Sequence, residues 1–541
     1  MSLIIEYDNV SAWVTSCNLN SVSIMAKYYI LSDLFGGLNK TAREEEMRSI
    51  EIILSIINLS AFLLLLIPNS SARSCLRIVI PIIPVTACAQ LLFEGSRWQM
   101  LPAYMVSAVL CLLWLYRLIA CRKGVQALPF FHGPVMVIAA TGVMRSLLLP
   151  VIMPVFTFSQ PSGPFGIGTL TCHWVDKQRR EVFSADPNDR RELIAQIWYP
   201  TSKGIPGPSA PYLQDAGIIA AKLAELLHLP KFTLSHFIYI TTNAKPSIPI
   251  AATEPSYPVL VFLEGLTGYR QMNNYQVEEL VSHGYIVVAI DQPYIAAETV
   301  FPDGRKVTGL SKEQMNMLIQ QSITPLETTP ILNGQPFPQG IIPYFAQDVL
   351  FTLNQLATIN QNDSPGIING RMNLQHVGVF GVSLGGIVAS EAALLEPRLK
   401  ACLVMDAPMP ANVVANGLQQ PGMWITRDAE TMRRERSRSG GWSEEEIAQH
   451  QTTMRAVFEK LPANKYFVQI AGAFHVNFMD ITYWSPLTST LGISGPIDGQ
   501  RAYRIINAYS LAFFDKYLKG NSASLLELPA KQYPEVTFEG P

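Results

Sequence analysis

Five residues, Gly381-Val382-Ser383-Leu384-Gly385, constrain this chain more than any other stretch. Before them, His376-Val-Gly-Val-Phe380 alternates and branches like a short buried strand; after them, Gly386 to Leu395 reads as a helix. A G-x-S-x-G pattern in that context is a sharp turn that lifts one serine out of a sheet. A serine on such a turn is strained, so its neighbours two before and two after must be nearly without side chains. The following helix aims its first N–H groups at the place where negative charge would form. Without the flanking strand and helix, the five letters would mean only a glycine-rich turn with a solvated serine. With them, they imply a nucleophilic Ser383.

The 541 residues leave room for more than one folding unit. Only 15% are charged and 49% are apolar, too oily for an ordinary soluble enzyme, and the excess lies in the first third. There, four apolar runs of about twenty residues, the length that spans a bilayer, follow one another: Ile50–Pro68, Leu76–Phe93, Leu101–Ala120 and Pro134–Phe156. Short basic connections join them, and Trp98, Trp114 and Tyr116 lie near their ends, as interfacial aromatics do. Residues 47–158 therefore read as a membrane region of four transmembrane helices in contact with the lipid bilayer. Arg145 weakens the fourth. Residues 1–46 read as an N-terminal extension, either poorly ordered or preceding a true start at Met47. Arg73, Arg77, Arg117, Arg122 and Lys123 fall in the first and third connections, against Arg97 alone in the second. The positive-inside rule then puts everything after Phe156 outside the cytoplasm, although Lys40, Arg43 and Arg48 argue the other way. A multi-pass protein of the cell membrane, with its larger domain extracytoplasmic, is the expectation.

From Ser159 the composition turns polar, with a Pro/Gly linker at 160–164. Ile167–Val175 and Glu192–Tyr199 read as an antiparallel pair around the charged turn Asp176–Arg191. Ile218–Leu229 has the spacing of an amphipathic packing helix. Tyr257–Leu263 is a buried strand ending in a glycine-containing loop, followed by a helix (Asn274–His283) and a strand (Tyr285–Ile290) that closes on Asp291. A long Pro/Gln-rich excursion at 296–343, with a hairpin near Val300–Val307, reads as a cap or rim. Further strands are expected at Leu399–Met405, Gly422–Thr426 and Lys465–Ala471, a closing helix at Ala502–Leu518, and a charged, solvated excursion at Arg427–Gln451. Strand, loop, helix, strand, then a G-x-S-x-G strand is the order of an α/β-hydrolase sheet, mostly parallel and flanked by helices, here over residues 159–541.

That fold orders its catalytic side chains as serine, acid, histidine. The histidine is His475, just past the last strand; the acid is Asp406 or Asp428, both following strand ends, whereas Asp480 reads as structural. Serine needs a base to take its proton, and a carboxylate must fix the tautomer of that base. The backbone N–H groups of Leu266 and Leu384 are the candidate oxyanion donors. Seven scattered cysteines show no metal-ligand spacing, so neither metal nor cofactor is expected. A formal charge of −2 without a basic stripe excludes nucleic acid as the obvious partner.

Val261-Phe-Leu-Glu-Gly-Leu-Thr-Gly-Tyr-Arg270, Ser282-His-Gly-Tyr-Ile-Val-Val-Ala-Ile-Asp291, Gly381-Val-Ser-Leu-Gly-Gly386, Met405-Asp-Ala-Pro-Met409 and His475-Val-Asn-Phe-Met-Asp480 occur in that order. Over roughly residues 154–540 the chain resembles the plasma-type platelet-activating-factor acetylhydrolase family, and in particular a bacterial branch with N-terminal membrane helices. The resemblance implies Asp406 as the acid, and a serine ester hydrolase acting without metal or calcium on short or oxidised acyl esters, including phospholipids. One departure stands out: Glu264-Gly265-Leu266 replaces the family's usual His-Gly-Leu. A carboxylate beside an oxyanion site is expected to slow acyl transfer or change its pH dependence. The rival it favours is a catalytically silent hydrolase-fold binding module. A second rival, transport through the four spans, is disfavoured because the apolar runs carry no paired ionisable residues apart from the lone Arg145. Oligomeric state is left open.

Overall fold

The computed structural model describes residues 48–67, 70–123, 133–361, 366–527 and 531–540; the expected extension at 1–46 lies outside these residues. The chain divides after Phe156 into two compact units.

The first unit is helical: α1 (Ser49–Leu66), α2 (Ser70–Phe93), α3 (Leu101–Arg122) and α4 (Gly133–Ile152). Leu54, Ala61, Ile80, Ile83, Met100 and Leu110 are buried among the helices, while Leu63, Leu92, Leu112 and Ile138 face outward. Helices apolar on both faces suit a lipid surround. Three stretches, Ser49–Leu66, Ser74–Phe93 and Trp98–Ala120, are long and apolar enough to cross a membrane; in α4 the apolar part is the shorter Met136–Ile152, which includes an exposed Arg145. One sequence expectation needs correction. A buried ion pair does exist, between Glu51 in the first turn of α1 and Arg97 just before α3 (Nε to Oε1 3.0 Å). Arg97 also donates to the Met153 carbonyl at 2.8 Å, and the Glu94 carboxylate accepts from Ile50 N–H at 2.8 Å. These contacts gather the start of α1, the end of α2, the start of α3 and the end of α4. The pair therefore lies at one end of the bundle rather than across it, and ties the helix ends together.

The second unit is built on a ten-stranded sheet. In chain order its strands and two small hairpins are β1 (Gly166–Arg180), β2 (Arg190–Thr201), β3 (Ala244–Pro246), β4 (Tyr257–Leu263), β5 (Ile286–Asp291), β6 (Glu298–Val300), β7 (Lys306–Thr308), β8 (Ile331–Leu332), β9 (Gln335–Pro336), β10 (Met372–Val382), β11 (Leu399–Met405), β12 (Gly422–Thr426), β13 (Lys465–Ile470) and β14 (Val536–Glu539). The large sheet runs β14-β13-β12-β11-β10-β4-β5-β2-β1-β3. From β13 to β5 every pairing is parallel, whereas β2 pairs antiparallel with both β5 and β1. Besides a short helix at Ala411–Asn416, the helices are α5 (Ala216–Leu226), α6 (Asn274–Ser282), α7 (Lys312–Ile323), α8 (Ile342–Gln361), α9 (Leu384–Leu395), α10 (Ala429–Ser439), α11 (Glu444–Lys460) and α12 (Gly499–Phe514). This is the α/β-hydrolase fold.

Strands buried on both faces must be apolar throughout, and β4 and β5 are buried at every residue. After β5 the chain crosses over, so that β10 joins β4 on its other side. The C-terminal ends of β4 and β10 thus flank the switch point, where open α/β sheets bind ligands.

Within the charged stretch 176–191, Lys177 and residues 185–190 are exposed, but Asp176, Glu181 and Arg191 are buried. Arg191 is fully buried, donating to Asp348 (2.7 Å) and Glu181 (2.9 Å), and Arg179 reaches the same Asp348 at 2.6 Å. Asp348 on α8 draws both arginines inward, a long-range pairing that local sequence does not encode. Arg191 and Arg179 outweigh the effect of burial on Asp348 and hold its carboxyl below its usual range.

Candidate active site

The site is assembled strand by strand along the C-terminal edge of the parallel sheet. Ser383 follows β10 with φ 55°, in the left-handed region that costs a non-glycine residue about 1–3 kcal/mol. Its N–H donates to the Met405 carbonyl at the end of β11 (2.9 Å), so the neighbouring strand holds the turn. The flanking glycines are required by close approach. A Cβ on Gly381 would sit 2.3 Å from the Gly385 carbonyl oxygen, and one on Gly385 would sit 2.1 Å from that of Leu263. Leu384 opens α9, so its N–H belongs to the set that a helix leaves without an internal partner. Across the crevice the loop after β4 comes close: a Cβ on Gly265 would lie 3.2 Å from the Cβ of Ser383. That places the turn carrying Leu266 beside the serine.

Asp406 follows β11, also with positive φ (46°), its N–H held by the Ile425 carbonyl of β12 at 3.0 Å. Its fully buried carboxylate accepts from Nδ1 of His475 at 2.5 Å and from the Thr426 hydroxyl at 3.1 Å. Arg427 contributes a third donor, its Nε lying 2.9 Å from Oδ2. Burial alone would raise the Asp406 carboxyl; Arg427, followed by the bond from His475, outweighs it and holds the group far below the usual carboxylate range. His475 follows β13, with its side chain 19% exposed, so one ring edge remains open. Asp406 and His475 are thus brought together, whereas Asp428 is used elsewhere. As the N-cap of α10, Asp428 accepts from the N–H (2.7 Å) and hydroxyl (3.2 Å) of Thr431. Asp428→Ala is expected to lower stability by about 1 kcal/mol through loss of that cap, with kcat unchanged; thermal unfolding beside an ester assay checks this.

The loop bearing His475 is pinned on both sides. Asn477 Oδ1 accepts from Phe474 N–H and Gly495 N–H, each at 2.8 Å. The Asp480 carboxylate accepts from Asn274 N–H (2.9 Å) and Tyr275 N–H (3.2 Å), capping α6 from outside its own segment. Asp480 therefore holds the loop to the start of α6.

Sequence reading missed a second layer of the site. The stretch 427–451, taken as a solvated excursion, contributes four side chains to it. Arg427 pairs with Glu435, and Glu435 Oε1 accepts the backbone N–H of His475 at 3.2 Å, closing a ring through Asp406. His450, fully buried, brings Nε2 within 3.5 Å of Asp406 Oδ1; burial depresses its pKa to about 4, so it stays neutral at physiological pH. The Trp442 ring stands edge-on to both His450 and His475, its centroid 5.5 Å from each. A signal for this existed: Ile447, His450, Met454 and Val457 recur at helical spacing, which makes His450 a core position of α11. Helix α7 of the 296–343 excursion joins α11 through Lys312–Glu446 (3.1 Å) and Thr324–Gln449 (2.8 Å). Among the described residues, no group of three or more His, Cys, Asp or Glu side chains is arranged to hold a metal ion.

Fold and site define a carboxylic ester hydrolase of the α/β-hydrolase class. The family described as platelet-activating factor acetylhydrolase, isoform II, matches residues 158–329 and 359–524. The chain belongs to that family. The platelet-activating factor acetylhydrolase of Cavia porcellus is 22% identical over 381 residues, 67% of this chain and 78% of that protein. That of Gallus gallus is 23% identical over 306 residues (52% and 67%). A probable 1-alkyl-2-acetylglycerophosphocholine esterase of Arthroderma benhamiae is 22% identical over 428 residues (74% and 95%). Among solved structures, a ferulic acid esterase from Streptomyces cinnamoneus superposes with a TM-score of 0.54 at 23% identity, covering 71% of this chain and 99% of its own, a likeness of fold.

Proposed function

We propose that the chain is a membrane-anchored serine esterase that cleaves short or oxidised acyl esters, phospholipid esters among them, through an acyl-enzyme. The observation that carries this reading is the 2.5 Å bond between Asp406 and Nδ1 of His475, Asp406 following β11, the strand that pairs with β10 and so adjoins the strained Ser383. With Nδ1 donating to Asp406, Nε2 is the acceptor, free to take the Ser383 proton as Oγ attacks the ester carbonyl. The N–H groups of Leu266 and Leu384 receive the oxyanion, each such donor being worth about 3–4 kcal/mol in the transition state. His475 then protonates the leaving alcohol, and water, activated by the same imidazole, releases the acyl group. Helices α10 and α11 and the 296–343 excursion form the rim around the acyl chain. Arg77, Arg122 and Lys123 lie at the bundle end away from Arg97, so the positive-inside rule supports an extracytoplasmic catalytic domain.

Membranes carrying the full chain, treated with a fluorophosphonate, are expected to yield a single adduct that peptide mapping assigns to Ser383. A nitrophenyl-ester series from acetyl to octanoyl is expected to show kcat/KM falling with chain length. A folded protein that takes no label would overturn the esterase reading; a rising series would overturn only the short-chain preference.

A further inference from the structure

Glu264 directly follows β4 and is fully buried. Its Oε1 accepts the Gln292 N–H at 2.9 Å, while Oε2 has no hydrogen-bond partner. The same turn is held a second time where Thr267 N–H donates to the Ile295 carbonyl at 2.7 Å. Ala297 N–H likewise donates to the Gly268 carbonyl at 2.7 Å, so the Glu264 side chain supplies one of several hydrogen bonds joining the turn that carries Leu266 to the turn after β5. It fits tightly there. A Cβ on Gly268 would lie 3.1 Å from the Cβ of Glu264, and one on Gly385, in the first turn of α9, would lie 2.5 Å from the Glu264 carbonyl oxygen. The charged groups around it are few. Asp291 stands at the end of β5, its carboxylate taken up by the backbone N–H (2.7 Å) and guanidinium of Arg270. Asp348 on α8 is reached only through the Gln292 side chain, at 2.8 Å, and is itself paired with Arg179 and Arg191. Of the cations, Arg270 bears most directly on Glu264, and it is committed to Asp291. A buried carboxylate with one oxygen unbonded and an anion beside it is disfavoured far more than a neutral acid of the same shape.

We propose that Glu264 is a proton-dependent positioning residue: as a neutral acid it holds the 264–268 turn where Leu266 N–H meets the reacting carbonyl, and on ionisation it releases that turn. The inference rests on the serine-esterase reading of the same site. Burial, reinforced by Asp291 and only partly opposed by Arg270, pushes the Glu264 carboxyl well above the carboxylate range. The folded state therefore binds a proton that the unfolded state has lost. Its contribution to stability is full below about pH 4, the ordinary glutamate range, and is lost as pH rises toward the folded value.

Glu264→Gln keeps the shape, and its amide oxygen still accepts from Gln292, but it cannot ionise. Thermal unfolding of the full chain from about pH 5 to 10 is expected to show the wild-type midpoint falling relative to E264Q as pH rises; a constant difference would overturn the inference without reference to activity. The rate of fluorophosphonate labelling and kcat are expected to decline in the wild type at alkaline pH, by up to about tenfold per unit beyond the ionisation, and to stay level in E264Q with KM unchanged. Glu264→Met should also lack the alkaline limb but start from a lower kcat, because Gln292 N–H loses its acceptor; recovery by Gln would mark positioning rather than packing. An identical alkaline limb in wild type and E264Q overturns the inference alone. Absence of label from the wild type at every pH overturns the esterase reading and the positioning role with it.

Discussion

Replacing Ser383 by alanine is expected to reduce kcat toward short-chain esters by about 10⁶-fold, the scale seen when a nucleophile acting as one unit with its base is removed. Fluorophosphonate labelling should disappear with it. The residual rate should still exceed that of water, because the N–H groups of Leu266 and Leu384 remain to polarise a bound carbonyl. Stability should hardly change in S383A, since alanine at φ 55° is strained as serine is. Ser383→Gly separates the two effects. It should be equally inactive yet more stable, by about 1 kcal/mol, as glycine adopts positive φ without a Cβ penalty. Unfolding midpoints of the three proteins, measured beside their esterase rates, test whether the turn stores strain for function. A less stable glycine variant would show that Ser383 is held by contacts rather than against its backbone preference.

The second large effect is expected at Asp406. Asp406→Asn should lower kcat by about 10⁴-fold, because an amide that donates to Nδ1 imposes the wrong tautomer on His475. Here the change should also cost stability, which an exposed orienting acid would not. Asp406 is fully buried and accepts from Arg427, Thr426 and His475 together, so losing its charge leaves Arg427 with Glu435 alone. Removing one partner from such a buried pair costs about 3–5 kcal/mol. The depressed carboxyl of Asp406 sets the pH dependence. Its contribution is fully present above the ordinary aspartate range, about pH 4, and is lost as pH falls through more acidic values. Wild type should therefore lose stability steeply in acid, and D406N should show a shallower acid limb. Parallel acid limbs in the two proteins would mean that Asp406 gains little from Arg427 on folding.

The elements nearest the serine were legible because local rules governed them. Leu399–Met405 and Gly422–Thr426 form strands at the expected bounds, and Asn274–Ser282 forms a helix one residue short of the expected one. Each is an apolar run bounded by glycine, proline or polar residues, and the parallel sheet leaves such runs little choice. The choice between Asp406 and Asp428 was not local. Both follow strands, and only the resemblance of Met405-Asp-Ala-Pro-Met409 to a family separated them. In the fold, Asp428 has a helix to cap and Asp406 faces His475.

Charge was read least well. Arg427 and Glu435 sit in a stretch that composition marks as solvated and Arg191 at the end of a charged turn, yet all three are buried because carboxylates or guanidinium groups from other segments meet them. Glu264 shows the same limit from the other side. Sequence places a carboxylate beside an oxyanion loop; the tertiary structure turns it inward and leaves one oxygen unbonded, and burial together with Asp291 pushes the carboxyl above its usual range. By itself, then, the sequence determined the strands and helices around the serine, the serine on its turn and the histidine after the last parallel strand, since these follow from periodicity and backbone sterics, while the antiparallel edge strand β14 beyond it went unread. Only the tertiary structure decided which acid meets the histidine, which charges are buried and which carboxyls are pushed from their usual range, because those depend on what long-range packing brings within a few ångströms.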